Sequence, residues 1–128
     1  MPSSSRLILI VDDDKLVLKS CAKMASLCGF QTLTAADGHE ALTLFRQHAD
    51  VIDVVILDVI MPGMDGLSAL HEIRTLRPDV KVIMCSGLDQ DELMEQYTEH
   101  IPNGHLCKPY VMRDFEAELG RILSECSI

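Results

Sequence analysis

The sequence predicts an α/β domain, a parallel sheet of five strands with helices on both faces. Three observations predict it. Residues 7–11, 54–57 and 80–85 are nearly unbroken aliphatic runs, and 31–35 and 105–107 are shorter strand candidates. Continuous apolar runs mark strands buried on both faces. Between them, apolar residues recur at helical spacing, so strand and helix alternate, as they do in parallel sheets joined by crossover helices. Polar residues then collect just past the ends of the strands, where such sheets hold their ligands.

The elements follow in order. Leu7-Ile8-Leu9-Ile10-Val11 is the first strand and ends in Asp12-Asp13-Asp14. Leu18, Cys21, Ala22, Ala25 and Cys28 form a helical stripe, and Gly29 breaks it. Asp14 suits the N-cap of that helix. After 31–35, Asp37-Gly38 marks a turn, and Ala41, Leu42 and Phe45 mark a second helix. Val54-Val55-Ile56-Leu57 is the third strand, followed by Asp58 and by the turn Pro62-Gly63-Met64-Asp65-Gly66. Leu67, Leu70, Ile73 and Leu76 predict a helix that stops before Pro78. The fourth strand, 80–85, leads into Ser86-Gly87, and an acidic helix is predicted over 89–100. His105-Leu106-Cys107 ends at Lys108-Pro109, and Phe115, Leu119, Ile122, Leu123 and Cys126 predict the last helix. Residues 1–6 read as a flexible N-terminus and 7–126 as one domain.

Composition narrows the function. The 128 residues suit a single domain with its own core. With 48% apolar residues, three Phe, two Tyr and no Trp, that core is aliphatic. A net charge of −9 argues against nucleic acid and against an anionic membrane surface. The longest apolar runs are about five residues, far short of the roughly 20 that span a bilayer. No signal peptide is read, so a cytoplasmic protein is expected. The five cysteines form no C-x-x-C pair and read as reduced core thiols. The five histidines form no metal motif, and His39, His48, His71 and His100 read as surface residues.

Asp12, Asp13 and Asp14 follow strand one, Asp58 strand three, Ser86 strand four and Lys108 strand five. In a parallel sheet these converge on one edge. Crowded carboxylates repel unless a cation joins them. Mg²⁺ takes oxygen ligands and commonly binds one or two carboxylates together with a phosphate. One lysine cannot balance three or four Asp. An Asp held between metal and lysine is poised as a nucleophile toward phosphorus, with both cations stabilising the transferred group.

The segments I-L-I-V-D-D-D, I-L-D-V-I-M-P-G-M-D-G-L, V-I-M-C-S-G and L-C-K-P-Y, in this order, resemble the receiver domain of two-component response regulators over essentially the whole chain. The resemblance implies a flavodoxin-like fold with strand order 2-1-3-4-5, which the family also exemplifies in general accounts of that topology. It implies Asp58 as phosphoacceptor and Asp12 and Asp13 as the acidic pair that organises Mg²⁺, with Asp13 the direct ligand. The backbone carbonyl of Ile60 matches a further ligand, Ser86 the hydroxyl switch and Lys108 the phosphoryl-contacting lysine. A cis Lys108-Pro109 bond is implied as well, and Ile60 and Leu88 fall where side chains shield the phosphoryl group from water. The implied partners are a histidine kinase or histidine phosphotransfer protein and a downstream effector, with room for a homodimer. The S-G and K-P-Y segments look like receivers of hybrid sensor kinases. One departure stands out. The family often has Tyr or Phe three residues before its lysine, and here that residue is His105.

Three other readings compete. An aspartate-dependent phosphohydrolase would use Asp12 as nucleophile, resembling the D-x-D opening of haloacid-dehalogenase-like phosphatases. Leu16 and the missing acidic motif after Lys108 oppose it. A flavin module of the same topology would need a phosphate cradle where Asp12-Asp13-Asp14 stands. A pseudo-receiver would bind partners without phosphorylation, a reading opposed by the intact Asp58, Ser86 and Lys108.

Overall fold

The computed structural model describes residues 6–59, 66–87, 101–108 and 110–124. The helix expected over 89–100, the Ile60 carbonyl, Leu88, the Lys108-Pro109 bond, His100 and Cys126 lie outside them.

The strands β1 (Arg6–Val11), β2 (Phe30–Ala35), β3 (Ile52–Asp58), β4 (Lys81–Ser86) and β5 (Gly104–Cys107) form one sheet in the order β2-β1-β3-β4-β5. Every pairing is parallel. The described helices are α1 (Lys15–Leu27), α2 (Gly38–His48), α3 (Gly66–Leu76) and α4 (Met112–Ser124).

Side chains alternate across a strand, and here the alternation builds two cores. Leu9, Val11, Val55, Leu57, Val82 and Met84 pack with Ala41, Leu42 and Phe45 of α2 and Ala69, Leu70 and Ile73 of α3. Ile8, Ile10, Val54, Ile56, Ile83 and Cys85 pack with Cys21 and Ala25 of α1 and Phe115, Leu119 and Ile122 of α4. The central strands are buried on both sides, which is why their sequences read as unbroken aliphatic runs. The edge strand β2 buries only Ala35 fully.

Helix starts follow local chemistry. Asp14 caps α1 by accepting from Leu16 N at 2.9 Å, as expected. Asp37 caps α2 by accepting from Glu40 N at 2.8 Å, while the Glu40 carboxylate accepts from Ala36 N at 2.7 Å, a reciprocal arrangement that satisfies two free N–H groups. Gly29 ends the α1 turn at φ +91°, where a side chain would be strained.

The amino end of the sheet is held by polar side chains on backbone groups. Register shifts between Leu7 and Ile8, so Asp53 is skipped in the β1–β3 pairing, and its carboxylate accepts the Leu7 N–H at 3.0 Å. Arg77 donates to the carbonyls of Ala49 at 2.5 Å and Ile52 at 2.6 Å.

The cysteine reading needs correction. Cys21 and Cys85 are buried, but Cys28 is half-buried at the C-cap of α1 and Cys107 is exposed. Cys107 is the last residue of an edge strand, so its side chain points away from the core. All four are free thiols. Burial pushes the Cys21 thiol up to about 11 and the Cys85 thiol higher still. No described helix is long and apolar enough to cross a membrane.

Candidate functional site

The carboxyl edge of the sheet gathers the polar residues. Asp58 and Ser86 are the last residues of β3 and β4, and Asp12 and Lys108 directly follow β1 and β5. Sequence alone placed Asp58 and Ser86 just beyond their strands. The ladder includes them because Asp58 pairs with Cys85 and Ser86 with Cys107. Backbone bonds carry the ladder one step further, from Asp12 N to Ala35 O at 3.1 Å, Val59 N to Cys85 O at 3.0 Å and Lys108 N to Ser86 O at 2.7 Å. The side chains therefore stand on rigid supports.

Asp12, Asp58 and Ser86 are the buried polar residues among those described, each 5% exposed or less. The Lys108 ammonium lies 2.8 Å from Asp12 Oδ2 and 3.2 Å from Asp58 Oδ1. Burial pulls that ammonium down, but the hydrogen bond to Asp12 and the charge of Asp58 outweigh it, and the net shift is upward. Asp12 Oδ1 also accepts from Asp14 N at 2.9 Å. This fixes the Asp12 carboxylate to the loop that starts α1.

Carboxylate oxygens of Asp12, Asp13 and Asp58 all lie within 4.8 Å of one another, two of the residues buried and Asp13 exposed. Three carboxylates face one ammonium. The hard-oxygen donor set suits Mg²⁺, whose preference for a few carboxylates plus water fits a site that is open on the Asp13 side. The structure thus brings together Asp12, Asp13, Asp58 and Lys108, with Ser86 on the same edge.

Sequence reading took Gly66 only as the end of a turn and missed its role as the first residue of α3. A Cβ there would sit 2.7 Å from Val59 Cα and closer still to the Asp58 carbonyl oxygen. The Gly66 N–H donates to Val59 O at 2.7 Å. Only a residue without a side chain lets the start of α3 rest directly on the Asp58 backbone. Its φ is not positive, so the turn signal at this glycine carried no hint of the close approach. A groove of about 500 Å³ beside the site, lined by Leu16, Val17, Ser20, Met24, Lys108 and Tyr110, was also missed. Leu16 is 75% exposed there, since the helical period of α1 turns it away from the sheet.

His105 is half-buried beside α4. Burial lowers its imidazole pKa, with Glu118 pulling up and Arg121 pulling down.

The sequence profile of the response regulator receiver domain matches residues 8–119. The chain belongs to the response regulator receiver domain family. It is 36% identical over 91% of its length to a probable transcriptional regulator, ycf27, of Cyanidium caldarium, covering 45% of that protein. It is 30% identical over 96% of its length to the sensor kinase CckA of Brucella abortus, covering 13% of it. The receiver thus spans less than half of either curated relative. Among solved structures, a CheY of Borrelia burgdorferi, in complex with CheX, BeF₃ and Mg²⁺, superposes with a TM-score of 0.87 at 30% identity, over 92% of this receiver and 89% of that chain. The expected strand order, helices on both faces and family are all found.

Proposed function

We propose that this receiver is a phosphorylation-controlled switch whose acceptor is Asp58. The observation that carries the reading is the Asp58 carboxylate, buried at a strand end, 3.2 Å from Lys108 and grouped with Asp12 and Asp13. A phosphohistidine of a kinase or phosphotransfer protein is the donor. The bond from its imidazole nitrogen to phosphorus breaks as a bond from Asp58 Oδ to phosphorus forms, and the freed imidazole takes a proton from water. Mg²⁺, held by Asp12, Asp13 and Asp58 with the Ile60 carbonyl, would neutralise charge on the phosphoryl oxygens. Lys108 stabilises the same oxygens and stays tethered to Asp12. Ser86 donates its hydroxyl to them once they are in place. The new dianionic group favours one of two conformations.

The exposed Leu16 and the apolar groove beside Lys108 support a protein partner that reaches Asp58 from the α1 side. The whole is a signalling domain of the cytoplasm, acting on a downstream effector or on a second copy of itself. It catalyses nothing beyond its own phosphorylation and dephosphorylation.

The test is intact mass after incubation with Mg²⁺ and acetyl phosphate, beside Asp58→Asn. One added phosphoryl group in the wild type alone is expected. A gain in both proteins would move the nucleophile, with Asp12 of the phosphohydrolase reading the first suspect. No gain in either, with Mg²⁺ still bound, would favour a pseudo-receiver.

A further inference from the structure

β5 is an edge strand, paired with β4 on one side and, among the described residues, with no strand on the other. Its outer edge presents the His105 N–H, and the Asn103 carbonyl lies just before the strand. Each meets a charged side chain of α4. His105 N donates to Glu118 Oε2 at 2.8 Å, and Arg121 Nη2 donates to Asn103 O at 2.7 Å. Glu118 and Arg121 also bond each other, with contacts of 3.1 Å. One acceptor and one donor stand where a neighbouring strand would put its own. The fit is close. A Cβ on Gly104 would lie 3.0 Å from Glu118 Cδ and 3.2 Å from Arg121 Nη2.

Lys108 directly follows the same short strand. The strand's amino end is anchored: Asn103 Oδ1 accepts from Arg74 Nη2 at 2.6 Å and from Val82 N at 2.9 Å. β5 is therefore a lever with a fixed pivot at Asn103, the site at its far end and the Glu118 clasp between them. We propose that a change at Asp58 is passed to α4 through this clasp on the β5 backbone, and not through the side chain at position 105. The proposal rests on the receiver reading above. It gives the chain a route to its last helix that needs no aromatic residue where His105 stands. A charge-assisted bond is shorter and stronger than a neutral one, so Glu118 follows the His105 N–H when the strand shifts.

The experiment is hydrogen–deuterium exchange on the full chain, with and without Mg²⁺ and beryllofluoride. It compares the wild type with Glu118→Ala, Arg121→Ala and His105→Ala. Without ligand, the His105 amide of Glu118→Ala is expected to exchange about tenfold faster than in the wild type. With ligand, exchange over 81–87 and 104–107 changes in every protein. Exchange over 112–124 changes in the wild type and in His105→Ala, and does not change in Glu118→Ala. Arg121→Ala, which frees the Asn103 carbonyl and leaves Glu118 unanchored, shows a reduced helix response and serves if Glu118→Ala does not fold. An undiminished helix response in Glu118→Ala or Arg121→Ala overturns the clasp, as does its loss in His105→Ala. No response over 81–87 in the wild type overturns the receiver reading beneath it.

Discussion

The two ends of the same sheet carry similar polar residues and use them differently. At the amino end, Asp53, Arg77 and Asn103 each bind backbone groups of neighbouring segments. Each charge or dipole there meets groups that the folded chain must satisfy anyway. At the carboxyl end, Asp12, Asp13 and Asp58 face one another, and Asp12 and Asp58 share a single ammonium. That arrangement stabilises the chain poorly on its own, because close carboxylates repel. Asp53, Arg77 and Asn103 find their partners within the chain, whereas on the proposed reading a cation and a phosphoryl group supply the partners at the carboxyl end. Imbalance, more than polarity, separates a site from a structural clamp.

The largest expected break in this comparison is Asp58→Asn, for which phosphorylation by acetyl phosphate, read by intact mass, is expected to be lost outright. Next is Lys108→Ala. It is expected to slow phosphorylation by about two to three powers of ten, the usual cost of removing a fixed donor to developing charge, while Mg²⁺ binding by calorimetry persists. Arg77→Ala tests the other end. Loss of charged hydrogen bonds to Ala49 O and Ile52 O is expected to cost about 2–3 kcal/mol in urea unfolding, with phosphorylation rate unchanged. A large rate change there would erase the distinction between the ends. Gly66→Ala, between the two in character, is expected to cost about 1–3 kcal/mol and also to slow phosphorylation, since its Cβ displaces the Asp58 backbone.

The smallest effect is on pH dependence. Burial alone would raise the Glu118 carboxyl, but Arg121 and the His105 N–H outweigh it and hold it below the usual carboxylate range. The unfolded chain therefore takes up this proton first as pH falls. The contribution is whole above that range and is lost as pH drops through the lowered value. Glu118→Gln is expected to flatten the acid limb of the stability profile slightly, and an unchanged limb would deny the clasp any energetic weight.

Much of this was legible in the residues. The central strands were plain because burial on both faces leaves unbroken aliphatic runs, and the site followed from asking what stands after each run. Asp12, Asp58, Ser86 and Lys108 came out of order alone. Arg77, Asn103 and the Glu118–Arg121 clasp did not. They bind backbone groups 13 to 28 residues away, and a side chain that meets a distant backbone group leaves no periodic trace. Gly66 was hidden for a related reason, since its role is a close approach between two segments and not a local turn. The exposed Cys107 was misjudged because residue type is a poor guide to burial at the end of an edge strand.

Tyr110 has a practical use that follows from its surroundings. It lines the groove with Lys108, stacks on Phe115 at 6.4 Å between centroids and hydrogen-bonds Cys21. The chain has two tyrosines and no tryptophan. Its ultraviolet emission is therefore all tyrosine, and one of the two emitters borders the site. The protein carries its own optical reporter, and titrations of cation or phosphoryl mimic can be followed without attaching a dye.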